Sequence, residues 1–275
     1  MVGVVTDSAA NLPGDLAADL GIRIVPLYLH FGDQVYRDGV DLTPADFYER
    51  LVKGGMAAST ASPSHGDFLE AFREAGQDEL VCVTVNSSMS SSHQQAALAA
   101  ADFSGRVAFV DSKSASMGEG FVVLEAARRA AAGGSLDEVE ARANEVADRT
   151  RLFAMVDTFE FLRKSGRVTK LQAYAATMLD IKPVFGFKHG DVLPVARSRT
   201  RRRAVAKIVE ETVREMGERP AHLAVIHAAA EDDALEIGKL IAEQANVVES
   251  FVLPVTPVIG AHTGPGLVGT AFYTD

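Results

Sequence analysis

The chain has 275 residues, 47% of them hydrophobic and 23% charged, with a net charge of −10 at neutral pH. This composition suits a soluble globular protein with a sizeable core, and the acidic balance argues against a general nucleic-acid binder, whose footprint is basic. A single cysteine, Cys82, excludes a disulfide framework and a cysteine-rich metal site, and no window nears 18 uninterrupted apolar residues, so stable membrane insertion is not expected.

Met1 leads directly into Val2–Val5, a short buried strand with no basic segment before it, and a cytoplasmic location is expected. The strand ends in Thr6-Asp7-Ser8. A helix is predicted over Leu12–Leu20, then a strand over Ile22–Leu29, with Phe31-Gly32-Asp33 turning a small hairpin. Thr43-Pro44 opens a helix through Phe47, Tyr48 and Leu51 that stops at Gly54-Gly55. After the loop Ser59–Pro63, Ser64 caps a helix holding Phe68, Leu69 and Phe72. Leu80–Val85 and Val107–Val110 read as strands, each followed by a helical segment, and Ser135-Leu136-Asp137-Glu138 is a capping box. This alternation predicts an N-terminal, Rossmann-like α/β domain over 1–150 with a mostly parallel sheet.

Beyond residue 150 the rhythm changes. Leu152–Val156 reads as a strand, and Phe159–Lys164 and Lys170–Leu179 as short helices around Gly166. Ile181–Phe185 and Val192–Ala196 form a hairpin about His189-Gly190. A helix from about Thr200 to Met216, strand Leu223–Ile226, a helix from Ala234 to about Gln244 and strands Val247–Leu253 and Thr270–Tyr273 follow. The reading is a second α/β domain over 151–275 with a mixed or antiparallel sheet; the boundary is approximate, and segments near it cross between the domains.

Chemistry concentrates in a few loops. Ser87, Ser88, Ser90, Ser91 and Ser92 put five hydroxyls in six positions between an apolar strand and an alanine-rich helix. There, free N–H groups and the helix dipole favour a negative group. Thr6–Ser8, Ser59–Ser64 and Asp111–Ser116 are similar polar loops, and strand carboxyl ends of an open parallel sheet share one ligand-binding edge. Thr6, Thr60, Ser62, the serine loop, Asp111 and Ser112 are therefore expected to converge on a cleft, although each residue alone also fits a cap or a Ser/Thr turn. Ile259-Gly260-Ala261-His262-Thr263-Gly264-Pro265-Gly266 reads as a tight loop presenting His262. Arg197, Arg199, Arg201, Arg202 and Arg203 put five arginines in seven residues, three of them in the first turn of a helix whose dipole disfavours them. An anionic partner surface would relieve that cost, and a solvated charge run is the alternative. No HExxH, CxxC or GxxxxGK[ST] occurs. A Ser90–His262 pair with Asp7 or Asp111 sketches a serine acyl hydrolase, but no GxSxG elbow surrounds any serine. A regulatory protein binding a small carboxylate is a third reading.

Taken as a set, these residues resemble the DegV family of bacterial fatty-acid-binding proteins. Thr6-Asp7-Ser8 looks like that family's opening TDS, and Ser59–Ser64 its T-S-x-P-S loop. Ser87–Ala96 resembles S-S-x-L-S-G-T-Y-Q-S-A, except that S-G-T reads Ser90-Ser91-Ser92 and the tyrosine is His93. Asp111-Ser112, Phe161–Val168, Ile181–Val184 and His262–Gly266 complete the likeness. The resemblance implies a two-domain DegV-like fold with one long-chain fatty acid, such as palmitate or oleate, buried between the domains. It implies no catalytic machinery of the chain's own and no cofactor, the fatty acid being the ligand. Thr60, Ser62, Ser90, Ser91, Ser92, His262, Thr263 and Gly264 would hold the carboxylate. The catalytic subunit of a fatty acid kinase is the implied partner, to which the carboxylate is presented for conversion to an acyl phosphate. Arg167, Arg199 and Arg201 are the implied partner contacts.

Overall fold

In the computed structural model, which describes residues 1–54, 58–167 and 181–275, the strands sort into three sheets. The first is parallel, in the order β2 (Arg23–Val25), β1 (Gly3–Asp7), β6 (Glu79–Thr84) and β7 (Arg106–Asp111). The second has six strands, ordered β10 (Asp191–Ser198), β9 (Lys182–Lys188), β8 (Arg151–Met155), β13 (Val268–Thr274), β11 (Ala221–His227) and β12 (Val247–Pro254). It is mixed: β11 and β12 pair in parallel, and the other neighbours are antiparallel. A third, small antiparallel sheet joins β4 (Gln34–Arg37), β3 (Tyr28–Phe31) and β5 (Ser59–Ala61). The α/β class with one parallel and one mixed sheet is as the sequence predicts.

Period-two alternation explains how the layers stack. On β6, Leu80 and Cys82 face α3 (His65–Glu74) and α4 (Ser92–Ala100), while Val81 and Val83 face the opposite way. On β8, Leu152 and Ala154 face inward, and Phe153 and Met155 face α8 (Arg201–Met216) and α9 (Glu231–Ala242). The inner faces of the two large sheets share one core with α5 (Met117–Ala131) and α6 (Leu136–Arg149) between them. The resulting layer order is α3/α4, parallel sheet, α5/α6, mixed sheet, α8/α9. Buried residues occupy all sides of α5, the pattern of a helix walled in by sheets rather than laid on a surface.

The structure corrects several local readings. Ile22–Leu29 is two strands, because Pro26 has no backbone N–H for the ladder, and β2 and β3 join different sheets. The segment around His262 is not a loop but the last turn of a helix, α10 (Pro257–Thr263), ended by Gly264 at φ +73°. The expected helix over Lys170–Leu179 lies outside the described residues, as does Gly55 of the predicted Gly54-Gly55 stop; α2 (Pro44–Gly54) runs up to it. The hairpin about His189-Gly190 is present, and both residues take positive φ as a two-residue primed turn requires.

A polar cluster ties α5 and α6 to the outer strands of the mixed sheet. Arg128 of α5 pairs with Glu249 of β12 and with Glu125, which also binds Arg142 of α6. Glu249 accepts a 2.8 Å hydrogen bond at His222 Nδ1, and the His222 ring stacks on Tyr273 with centroids 4.3 Å apart. The His222 hydrogen bond, followed by Arg128, pulls the Glu249 carboxyl down to about 2. A depressed carboxyl stabilises the fold above its unfolded value of 4.5, and that stability is lost as pH falls through about 2. Glu249→Gln should therefore cost about 1–3 kcal/mol at pH 7, held down by the pair's partial exposure. Urea denaturation should show the gap to wild type closing as the solution is acidified; a gap unchanged at pH 2.5 would show that the carboxylate's charge is not what matters.

Candidate functional site

The carboxyl ends of β1, β6 and β7 face the inner side of the mixed sheet just where α5 begins, and a cavity of about 540 Å³ opens between them. That volume lies within the roughly 300–1,000 Å³ of pockets that enclose one small ligand. Its body is apolar. Leu152, Ala154, Phe185, Phe187 and Ile226 come from the mixed sheet, and Ala9, Leu27, Val85 and Val258 from the opposite wall.

One end is polar. Thr60 of β5 and His262 of α10 meet there, with Oγ1 and Nε2 2.8 Å apart. The hydroxyls of Ser62 and Ser90 share a 2.9 Å hydrogen bond, and Ser91 donates to Ser62 over 2.9 Å. Thr60, Ser62, Ser90, Ser91, His262 and Thr263 all line the cavity. Ser92 does not; it is buried behind Ser90, with their hydroxyls 3.0 Å apart. Thr263 turns its hydroxyl back to the carbonyl of Ile259 at 3.0 Å, so its contribution to the wall is not a free donor. Gly264 is not among the lining residues, and a Cβ there would stand 2.3 Å from the Phe161 ring.

Long-range contacts hold His262 in place. Asp38 accepts the backbone N–H of Val258 at 3.1 Å near the start of α10, and the Ser8 hydroxyl donates to Asp38 at 2.7 Å. Ser8 in turn accepts the N–H of Leu27 at 3.0 Å, so α10 is tied to the end of β1. Gly260 lets α10 sit against α2, because a Cβ would come within 2.5 Å of the Tyr48 hydroxyl. Burial pushes Asp38 up to about 6 against the pull of these hydrogen bonds. Burial also pulls His262 down to about 4, with the Arg167 charge adding to it, so the imidazole is neutral at pH 7 rather than cationic.

The serine–histidine–aspartate arrangement considered from the sequence is not assembled. His262 meets a threonine, and no carboxylate hydrogen-bonds to it among the described residues. Asp111 is occupied by Ser87 and by the N–H of Lys113, and Asp7 lies buried under the serine loop. Among the arginines, Arg167 lines the cavity and is exposed, which places it at the mouth, and Arg199 is exposed. Arg201 departs from the expectation of a partner contact. Its guanidinium pairs with Asp157 and Asp233 and donates to the carbonyl of Gly266, which relieves the cost of a cation in the first turn of α8 from within the chain. The described residues contain no group of three or more His, Cys, Asp or Glu able to hold a metal ion, and none of their helices is long and apolar enough to cross a membrane. Sequence reasoning missed Asp38 and Gly260, whose roles depend on contacts more than 200 residues away. The apolar wall was available in principle as alternate positions of the strands around Leu152 and Phe185.

A family model described as "Uncharacterised protein, DegV family" matches residues 1–275. A DegV domain-containing protein of Mycobacterium tuberculosis is 36% identical over 269 residues, covering 98% of this chain and 95% of its own. One from Streptomyces coelicolor is 34% identical, covering 98% and 96%. Among solved structures, a DegV family protein from Thermus thermophilus described by its fatty acid binding is similar at TM-score 0.93 and 33% identity, covering 100% and 99% of the two chains. DegV from Bacillus subtilis, described as a fatty acid binding protein, is similar at TM-score 0.89 and 28% identity, with the same coverage.

The neutral imidazole is directly measurable. In ligand-free protein, NMR titration of the His262 ring should show no protonation until the pH approaches about 4. A midpoint near 6.5 would mean that the ring is hydrated and not held as described.

Proposed function

The chain belongs to the DegV family, and on that premise we propose that it is a carrier that buries one long-chain fatty acid with the carboxylate at Thr60, Ser62, Ser90 and His262. The observation that carries this reading is the two-part cavity, an apolar body closed at one end by neutral hydrogen-bonding groups. An acyl chain needs the first part and a carboxylate the second. The tail supplies most of the affinity, at roughly 0.8 kcal/mol for each CH₂ buried, so about 15 methylenes give on the order of 10 kcal/mol before binding costs. The fatty acid binding described for the Thermus and Bacillus relatives supports the same ligand class. Ser91 adds a hydroxyl at the mouth, and Ser92 supports Ser90 from behind.

In this reading the carrier works in the cytoplasm without a cofactor or catalytic machinery of its own. It presents the carboxylate to a separate kinase, which forms the acyl phosphate. Arg167 at the cavity mouth and exposed Arg199 are the partner contacts, while Arg201 serves the fold. The resemblance of the motifs supports the kinase step, and the position of Arg167 beside the polar end fits it.

Organic extraction of the purified protein followed by mass spectrometry should recover about one long-chain fatty acid per chain. Affinity should rise about fourfold per added methylene until the cavity is filled, and Thr60→Val or His262→Ala should weaken retention about 10- to 100-fold. Affinity indifferent to tail length would instead identify a small-carboxylate site. Arg199→Glu should reduce kinase-dependent acyl-phosphate formation and leave lipid retention intact; equal loss of both would place Arg199 in the fold or the cavity.

A further inference from the structure

Asp7, which the carboxylate site does not use, is wholly buried at the end of β1. It accepts the N–H groups of Ala9 at 3.0 Å and Val85 at 3.2 Å, and the Ser92 hydroxyl faces it. From Ser92 a line of hydroxyls runs outward: 3.0 Å to Ser90, 2.9 Å from Ser90 to Ser62, and 2.9 Å from Ser91 to Ser62. Ser62, Ser90 and Ser91 line the cavity. A buried acid is thus linked to the binding site through side chains that each carry a single hydrogen.

That single hydrogen decides what the site offers, because a serine hydroxyl donates once. With Asp7 ionised, Ser92 donates to it, Ser90 to Ser92 and Ser62 to Ser90. All three hydrogens point inward, and a carboxylate in the cavity meets oxygen lone pairs. With Asp7 protonated, the order reverses: Asp7 donates to Ser92 and Ser92 to Ser90, which frees the hydrogens of Ser90 and Ser62 for the ligand. We propose that Asp7 is a positioning residue of this site, whose proton turns the Ser92–Ser90–Ser62 hydrogens toward the cavity so that an anionic headgroup binds together with one proton.

The proposal rests on the reading that an acyl headgroup occupies the hydroxyl cluster. Burial favours proton uptake by Asp7, and its hydrogen-bond partners oppose it. Glu119 of α5, wholly buried and accepting from Thr6 at 3.1 Å, is held well above the carboxyl range by burial and then by the Asp7 charge. Cys82 of β6 is a buried neutral thiol, Asp38 approaches from beyond β4, and Asp111 of β7 acts on Glu119. No cation pairs with Asp7 among the described residues. Burial pushes Asp7 up to about 6, with Val85, Ser92, Ala9 and Glu119 opposing, so Asp7 takes up a proton much closer to neutral pH than an exposed carboxylate does.

The test uses palmitate to establish occupancy and hexadecanesulfonate, which stays ionised throughout, to read the linkage. Wild-type affinity for the sulfonate should fall roughly tenfold between pH 7 and pH 8, with about one proton taken up per ligand by calorimetry in buffers of unlike ionisation enthalpy. Ser92→Ala, which interrupts the line but leaves Asp7 in place, should bind with no such slope. Asp7→Asn, if it folds, should do the same. A slope absent from wild type, or kept in Ser92→Ala and lost in His262→Gln, overturns the proposal, the latter by assigning the proton to the imidazole. Failure of both palmitate and sulfonate to bind at any pH overturns the carboxylate-site reading along with it.

Discussion

The burial of α5 between two sheets is the constraint on which the rest of the structure depends. A helix with apolar residues on every side must be walled in, and here the parallel sheet covers one side and the mixed sheet the other. Gly120 sets the fit, since a Cβ there would stand 2.7 Å from the carbonyl of Ala10. The spacing of the sheets is therefore the thickness of a helix, and beyond the first residue of α5 that spacing continues with no helix to fill it. The cavity occupies this gap, bounded by Ala115 and Ser116 just before the helix.

The same geometry explains why the polar end carries no fixed charge. Strand carboxyl ends and the start of a helix deliver hydroxyls and backbone N–H groups, and a neutral histidine closes the ring from α10. With Asp7 protonated, a carboxylate entering this setting would be met by hydroxyl donors, and the imidazole would gain basicity beside it. Fixed cations are instead at the mouth, where Arg167 is exposed, or committed elsewhere, as Arg201 is to Asp157 and Asp233. In the proposed carrier, an anion held by neutral groups would be free to be handed on, whereas a buried ion pair would resist separation.

Much of this was legible in the sequence because it is local. The apolar run before Ser87 and the alanine-rich run after it mark a strand and a helix, and a hydroxyl-rich link between them falls at a parallel sheet's carboxyl edge. The capping boxes at Ser64 and Ser135 are likewise patterns of four residues. What stayed hidden depends on partners far along the chain. Asp38 caps α10 across 220 residues, and the inward turn of Arg201 depends on Asp157 and Asp233; that Thr60 and His262 belong together, 202 residues apart, came only from the family resemblance. The helical form of the segment around His262 was masked by its glycines. Gly260 is there for close packing on Tyr48, and only Gly264 and Gly266 adopt the positive φ that such residues suggest.

The central claim is that one acyl chain lies in the gap beyond α5 with its carboxylate at the hydroxyl end. A crystal structure of the protein loaded with palmitate tests it most directly. The account predicts a single chain running along Leu152, Phe185 and Ile226, with carboxylate oxygens within hydrogen-bond reach of Thr60 and Ser90. A chain bound in the opposite sense, with its methyl end at His262, or density outside this cavity, would contradict it.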